Sequence, residues 1–200
     1  MKLWKMILAC ILAGTLCLGA AASGVWAEQR SLSGKLIRLH VIGASDSQED
    51  QSAKLLVRDA VLQVLSEQRW QSRDEAEASL RGLLPQLCRV GEDALQQLDS
   101  QQSVTAELTY EDYPTRDYGS FRLPAGEYLS LRVMIGEGEG KNWWCVVYPA
   151  LCLHASVGAT AASAGFTAGE VALITEDSPQ VMVRFRLLEL LQSVARRIKK

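Results

Sequence analysis

The stretch "YLSLRVMIGEGEGKNWWCVVYP", Tyr128 to Pro149, decides the fold. Leu129, Leu131, Val133 and Ile135 recur at every second position, the period of a strand with one buried face. "GEGEGKN", from Gly136 to Asn142, carries the glycines that turns require, and "WWCVVYP" is an apolar run of strand length. Two such runs around a glycine-rich connection predict a β-hairpin.

The same glycines, with Lys141, resemble a phosphate-binding loop, and spacing rejects that reading. A P-loop needs Gly, four residues, Gly-Lys and then Ser or Thr. Counting back from Gly140-Lys141, the first position holds Ile135, and Asn142 stands where the magnesium-binding hydroxyl belongs. The dinucleotide fingerprint fails too, because its third glycine position is Lys141. A strand follows these glycines, whereas a phosphate site needs a helix N-terminus there.

Working outward, "SVTAELTYE" alternates Val104, Ala106, Leu108 and Tyr110 with Thr105, Glu107 and Thr109, a half-buried strand. "YPTRDYGSFRLPAGEY" between them is rich in Pro, Gly and Tyr and reads as a loop with a short strand. Upstream, "KLIRLHVI" places Ile37, Leu39 and Val41 on one face and Arg38 and His40 on the other. Ser47 to Asp50 has capping-box spacing before a helical pattern through Ala53, Val57, Ala60, Val61 and Val64. Ser72 to Glu75 repeats that spacing and opens a second helical region through Ala76, Leu80, Leu83 and Leu84. Pro85 is expected to kink or split this region, which runs on to about Leu98. Ser156 to Gly169 is a small-residue segment, a flexible stretch or weak helix. Val181, Val183 and Phe185 then alternate as in a strand before an amphipathic helix through Leu187, Leu190, Leu191, Val194 and Ile198. Helices and antiparallel strands are segregated along the chain. The predicted class is α+β, a largely antiparallel sheet with helices packed on one face, in a single domain.

The first 27 residues stand apart. Lys2 and Lys5 precede an apolar run from Met6 to Ala22, and Val25-Trp26-Ala27 offers the small residues that a signal peptidase reads. A signal peptide cleaved after Ala27 is expected, with an uncleaved membrane anchor as the alternative, and residues 28–200 form one exported domain. That domain loses two lysines and no carboxylate, so it is more acidic than the formal −2 of the whole chain. Such a balance excludes the electrostatic footprint of a nucleic-acid binder. Arg196, Arg197, Lys199 and Lys200 cluster at the end, where cations complement a helix C-terminus or meet a membrane surface.

Three cysteines follow residue 27: Cys88, Cys145 and Cys152. Cys145 and Cys152 flank a proline at short separation and are the natural disulfide pair, a bond that would add roughly 2–3 kcal/mol. Cys88 lies in an apolar helical pattern as a small hydrophobe. A cysteine hydrolase would need His40 or His154 beside Cys145 or Cys152, with a third group orienting it. His154 is only two residues beyond Cys152, an unusual source for a base. A zinc site from Cys145, Cys152, His154 and His40 matches no common ligand spacing. Glu137 and Glu139, two apart on a turn, are solvated charges. No catalytic, metal or cofactor site emerges. The aromatic residues remain, and consecutive Trp143 and Trp144 must point to opposite sheet faces, so one faces away from the helices. An exposed Trp with Tyr and Arg neighbours has the composition of a protein-interaction hot spot.

Three segments carry a specific resemblance: "LIRLHVIGASDSQEDQSAKLLVRDAVL" (Leu36–Leu62), "YPTRDYGSFRLPAGEYLSLRVMIGEGEGKNWWCVVYPALC" (Tyr113–Cys152) and "VMVRFRLLELLQ" (Val181–Gln192). Together they resemble the stage II sporulation protein R family over most of the chain beyond residue 27. The resemblance implies a secreted, non-enzymatic signalling protein of endospore formation, without cofactor, metal or small-molecule substrate. It would pass from the forespore into the space between the forespore and mother-cell membranes. There it would activate a membrane-embedded aspartic protease that processes the pro-form of an early mother-cell sigma factor. Tyr113, Arg116, Tyr118, Trp143 and Trp144 are the candidate partner contacts. The competing reading is an exported cysteine-dependent cell-wall or peptide hydrolase.

Overall fold

A computed structural model describes residues 2–152, 157–176 and 178–198. Among them, helix α1 (Lys2–Ser33) leads into strand β1 (Ile37–Ile42), followed by helices α2 (Gln48–Ser66) and α3 (Arg73–Gln96). Strand β2 (Val104–Tyr113) precedes two short strands, β3 (Arg116–Asp117) and β4 (Arg122–Leu123), which pair as a small flap. Strands β5 (Gly126–Ile135) and β6 (Asn142–Tyr148) come next, then α4 (Val157–Ser163), α5 (Ala168–Thr175) and α6 (Pro179–Ile198). His154, Lys199 and Lys200, on which expectations were placed above, lie outside the described residues.

The α+β class is as expected, and the sheet is mixed, with strand order β2-β5-β1-β6. β5 pairs antiparallel with β2, and β6 antiparallel with β1. β1 runs parallel to β5, from Ile37 opposite Leu129 to Ile42 opposite Met134. The hairpin expected between β5 and β6 therefore does not form, because β1 lies between them. Their connection must span two strand spacings, about 10 Å. It does so by passing over the end of β1 and bonding to the chain that leaves it. Glu139 N–H donates to the Ala44 carbonyl at 3.3 Å, Gly140 N–H to Gly43 at 2.8 Å, and Lys141 N–H to Asp46 Oδ1 at 2.7 Å. Gly136 and Gly138 adopt φ of 56° and 66°, a region glycine enters without penalty. Gly140 is needed for a different reason: a Cβ there would lie 2.3 Å from the Ser45 carbonyl oxygen.

Two local signals set the helices on the first sheet face. The Ser47 hydroxyl accepts from Asp50 N–H and the Ser72 hydroxyl from Glu75 N–H, so both predicted N-caps are formed. Of the expected kink or split at Pro85, the split does not occur: α3 continues through the proline as one helix. An interior proline costs about 3 kcal/mol. That cost is outweighed because Ala76 and Leu80 before it, and Leu87, Ala94 and Leu95 after it, bury on one continuous face. All of these but Ala94 form one apolar core with Val57, Val61, Leu129, Leu131, Val133 and Cys145.

The opposite face is covered as well, which explains why all six residues of β1 are buried. Leu32 at the end of α1, Leu36 just before β1, Phe121 and Leu123 from the flap, and Val181, Phe185 and Leu188 from α6 are all buried on this side of the molecule. All but Leu188 share one second cluster with Tyr113, Tyr128 and Val146. The expected strand at Val181–Phe185 instead lies within the first two turns of α6. Val181, Phe185 and Leu188 are buried at helical spacing while Val183 is 67% exposed.

Candidate functional site

Strand register lays polar side chains across the second sheet face in straight rows. Glu107 is opposite Arg132, Arg132 opposite His40, and His40 opposite Trp144, one residue from each of the four strands. The next row holds Thr109, Ser130, Arg38 and Val146. A polar row this deep in a fold is costly unless its members satisfy one another. Only some do. Arg132 pairs with Glu107 and reaches Glu111 at 3.4 Å, and the Tyr113 hydroxyl meets Ser130 Oγ at 2.6 Å.

Arg38 is the exception. Its side chain is fully buried, and its guanidinium carbon lies 3.8 Å from the Tyr113 ring centre and 4.8 Å from that of Tyr128. One Nη2–H donates to the Tyr118 hydroxyl at 2.6 Å, while Nε and Nη1 find no partner. Among the described residues no carboxylate pairs with it. Aromatic faces repay part of the desolvation of a guanidinium, yet a buried charge without a counter-ion costs several kcal/mol. Around it, burial pushes the Tyr128 phenol up to about 12 and raises Tyr113 and Tyr118, so all three tyrosines are neutral.

His40 stacks edge-on against Trp144 with ring centres 4.7 Å apart, and neither ring nitrogen has a hydrogen-bond partner. Its Nε2 lies 3.5 Å from Glu111 Oε2. Burial first, then the charges of Arg132 and Arg38, lower its pKa to about 4, against a smaller raising effect of Glu107. The imidazole is therefore neutral near pH 7, and the Glu111 contact is not an ion pair.

The predicted contact residues divide according to depth. Tyr113 is 1% exposed, so it braces the layer from within and presents nothing to a partner; that expectation is corrected. Tyr118 is half-buried, stacked on Phe121 at 4.6 Å and tied to Arg38. Trp143 and Trp144 do point to opposite faces. Trp143 packs against the helix side under the Arg58 guanidinium, 5.1 Å away, and Trp144 lies on the second face under Arg116, 4.4 Å away. Both are half-buried, so each sheet face has one tryptophan at its rim. Glu111 and Arg132 were not singled out from sequence, Arg38 was read only as a polar-face residue, and His40 was weighed only as a base or a zinc ligand. Their period-2 placement on polar strand faces was visible, but their meeting depends on β1 entering between β5 and β6.

Cys145 is buried and Cys152 exposed, and both are free thiols here. Neither has a histidine partner among the described residues, while His40 sits within the aromatic layer.

These observations define an α+β domain built around an arginine–aromatic layer, with a tryptophan–arginine pair at its open rim. The chain belongs to the stage II sporulation protein R family, whose model matches residues 33–157. It is 35% identical over 120 residues to the stage II sporulation protein R of Bacillus subtilis (strain 168), a match covering 58% of this chain and 53% of that protein. The chain thus spans about half the length of the curated relative it matches. No solved structure matches it.

Proposed function

We propose that this protein is a secreted signal of endospore formation that carries no catalytic machinery. Made in the forespore and exported between the two membranes, it activates a membrane-embedded aspartic protease, which then processes the pro-form of an early mother-cell sigma factor. Membership of the sporulation family carries this reading. One contrast supports it. The apolar residues Met6, Ile7, Leu8, Ile11 and Leu12 are exposed on α1, whereas Gln29 and Leu32, just beyond the expected cleavage point, are buried in the domain. Among the described residues, no helix is long and apolar enough to cross a membrane.

Activation requires that the domain bind the active form of the protease more tightly than the inactive one. The Arg116–Trp144 pair is the contact we assign, since a half-exposed tryptophan under a guanidinium has the chemistry of a binding hot spot. Co-expression with the protease and its pro-sigma substrate, scored by cleavage, tests both claims. Arg116→Ala and Trp144→Ala should each cut processing about tenfold or more, because truncating a hot-spot residue costs about 2 kcal/mol of binding. Arg116→Ala should leave thermal stability almost unchanged. Full processing by a stably folded Arg116→Ala protein would remove that contact, and no cleavage with the unaltered chain would sink the activation role itself.

A further inference from the structure

The turn after β6 brings two thiols together in unequal surroundings. Cys145 is 1% exposed, and its sulfur lies 3.6 Å from the Val146 carbonyl oxygen. Cys152 is exposed, and its sulfur accepts the Val146 N–H at 3.3 Å. The backbone of one residue, Val146, thus contacts both sulfurs. Val146 is also the cross-strand partner of Arg38, the buried cation without a carboxylate.

We propose that Cys145 and Cys152 form a reactive dithiol, in which Cys152 attacks a low-molecular-weight disulfide and Cys145 resolves the product. The Cys152 thiolate attacks one sulfur of R–S–S–R′, forming Cys152–S–S–R and releasing R′–S⁻, which takes a proton from water. Cys145 then gives up its proton and attacks the Cys152 sulfur. The Cys145–Cys152 bond forms and R–SH leaves, carrying that proton. Two protein thiols are oxidised by two electrons, and one disulfide is reduced to two small thiols.

The surroundings favour this order of events. The hydrogen bond to Cys145, the Val146 N–H and the positive charge of Arg38 all hold Cys152 below the ordinary thiol range. Donating that bond, and burial, push Cys145 well above it. The thiolate is the nucleophile, so the exposed sulfur reacts first. A purely structural disulfide needs no such asymmetry. The proposal does not depend on the signalling role, and its test does not use the protease.

The test takes the full chain bearing Cys10→Ala, Cys17→Ala and Cys88→Ala, so that only two thiols report. Reduced protein is mixed with oxidised glutathione at pH 7 and followed by intact mass. With both thiols present, the internal disulfide should form without a lasting adduct. Adding Cys145→Ala should trap a persistent glutathione adduct, and adding Cys152→Ala should slow reaction about tenfold or more. Reaction of the Cys152→Ala protein at the parent rate, or no adduct with Cys145→Ala, overturns the proposal. If either variant fails to fold, limited alkylation of the two-thiol protein decides: Cys152 should be labelled first, and prior labelling of Cys145 overturns it.

Discussion

Gly140→Ala should destabilise the protein by about 3 kcal/mol, the sum of an overpacked contact and a weakened backbone hydrogen bond. The added methyl would lie 2.3 Å from the Ser45 carbonyl oxygen, 2.7 Å from its carbon and 2.8 Å from the Gly43 carbonyl oxygen. These are backbone atoms and have no rotamer to change. The loop can retreat only by stretching the 2.8 Å bond from Gly140 N–H to Gly43. In a domain of this size the loss corresponds to about 10 °C in Tm. Glu139→Ala, at an exposed neighbouring position, should stay within about 0.5 kcal/mol. Thermal melts of the two variants make the comparison. A simple hairpin turn would tolerate alanine at position 140, so a loss below about 1 kcal/mol would contradict the crossing of β1.

Acid should weaken the fold through His40. Its pKa is about 4 in the folded protein against 6.5 when unperturbed, so between those values the unfolded chain binds a proton that the native state excludes. Stability therefore falls as pH drops from about 6.5 towards 4, and the histidine contributes no slope above that window. The groups facing it are Arg38 on its own strand, Arg132 on β5, Glu107 and Glu111 on β2, and the Trp144 and Tyr113 rings. A shift of this size is worth up to about 3 kcal/mol. Urea unfolding at pH 7.5 and 4.5 should show that loss, and His40→Gln should remove about 2 kcal/mol or more of it. Equal acid losses in the two proteins would place the sensitivity elsewhere, for example in Asp50 or Glu170, whose carboxyls are also held below their ordinary range.

Local signals were legible and distant pairings were not. Ser47 and Ser72 announced α2 and α3, and the two-residue period of Val104–Leu108 and Leu129–Ile135 announced two strands. The start of α6 went unread: Ser178 before Pro179 is a capping pattern, and the Ser178 hydroxyl accepts from Val181 N–H. Three alternating residues masked that signal. Where β1 goes is a different kind of question. Ile37 faces Leu129 on one side and Tyr148 on the other, and nothing near Ile37 states either pairing. The arginine–aromatic layer depends on that placement, because Arg38 and His40 come from β1, and Trp144 reaches their row only with β1 beside β6. The depth of Tyr113 was illegible for the same reason: Leu32 and Leu36 on one side, and Val181 and Phe185 on the other, share its cluster and lie far from it along the chain.

The central position of β1 also sets the order in which the protein can fold. This strand leaves the ribosome, or any channel that delivers the chain N-terminus first, well before either neighbour. It cannot pair until β5 arrives, and its second edge stays open until β6 follows. Contacts this far apart in sequence slow folding. α2, α3 and the β2–β5 pair can assemble earlier as local units, while "IRLHVI" waits as an unpaired, largely apolar strand. The same topology that builds the arginine layer leaves the sheet, and the two cores on its faces, incomplete until the last strand is in place.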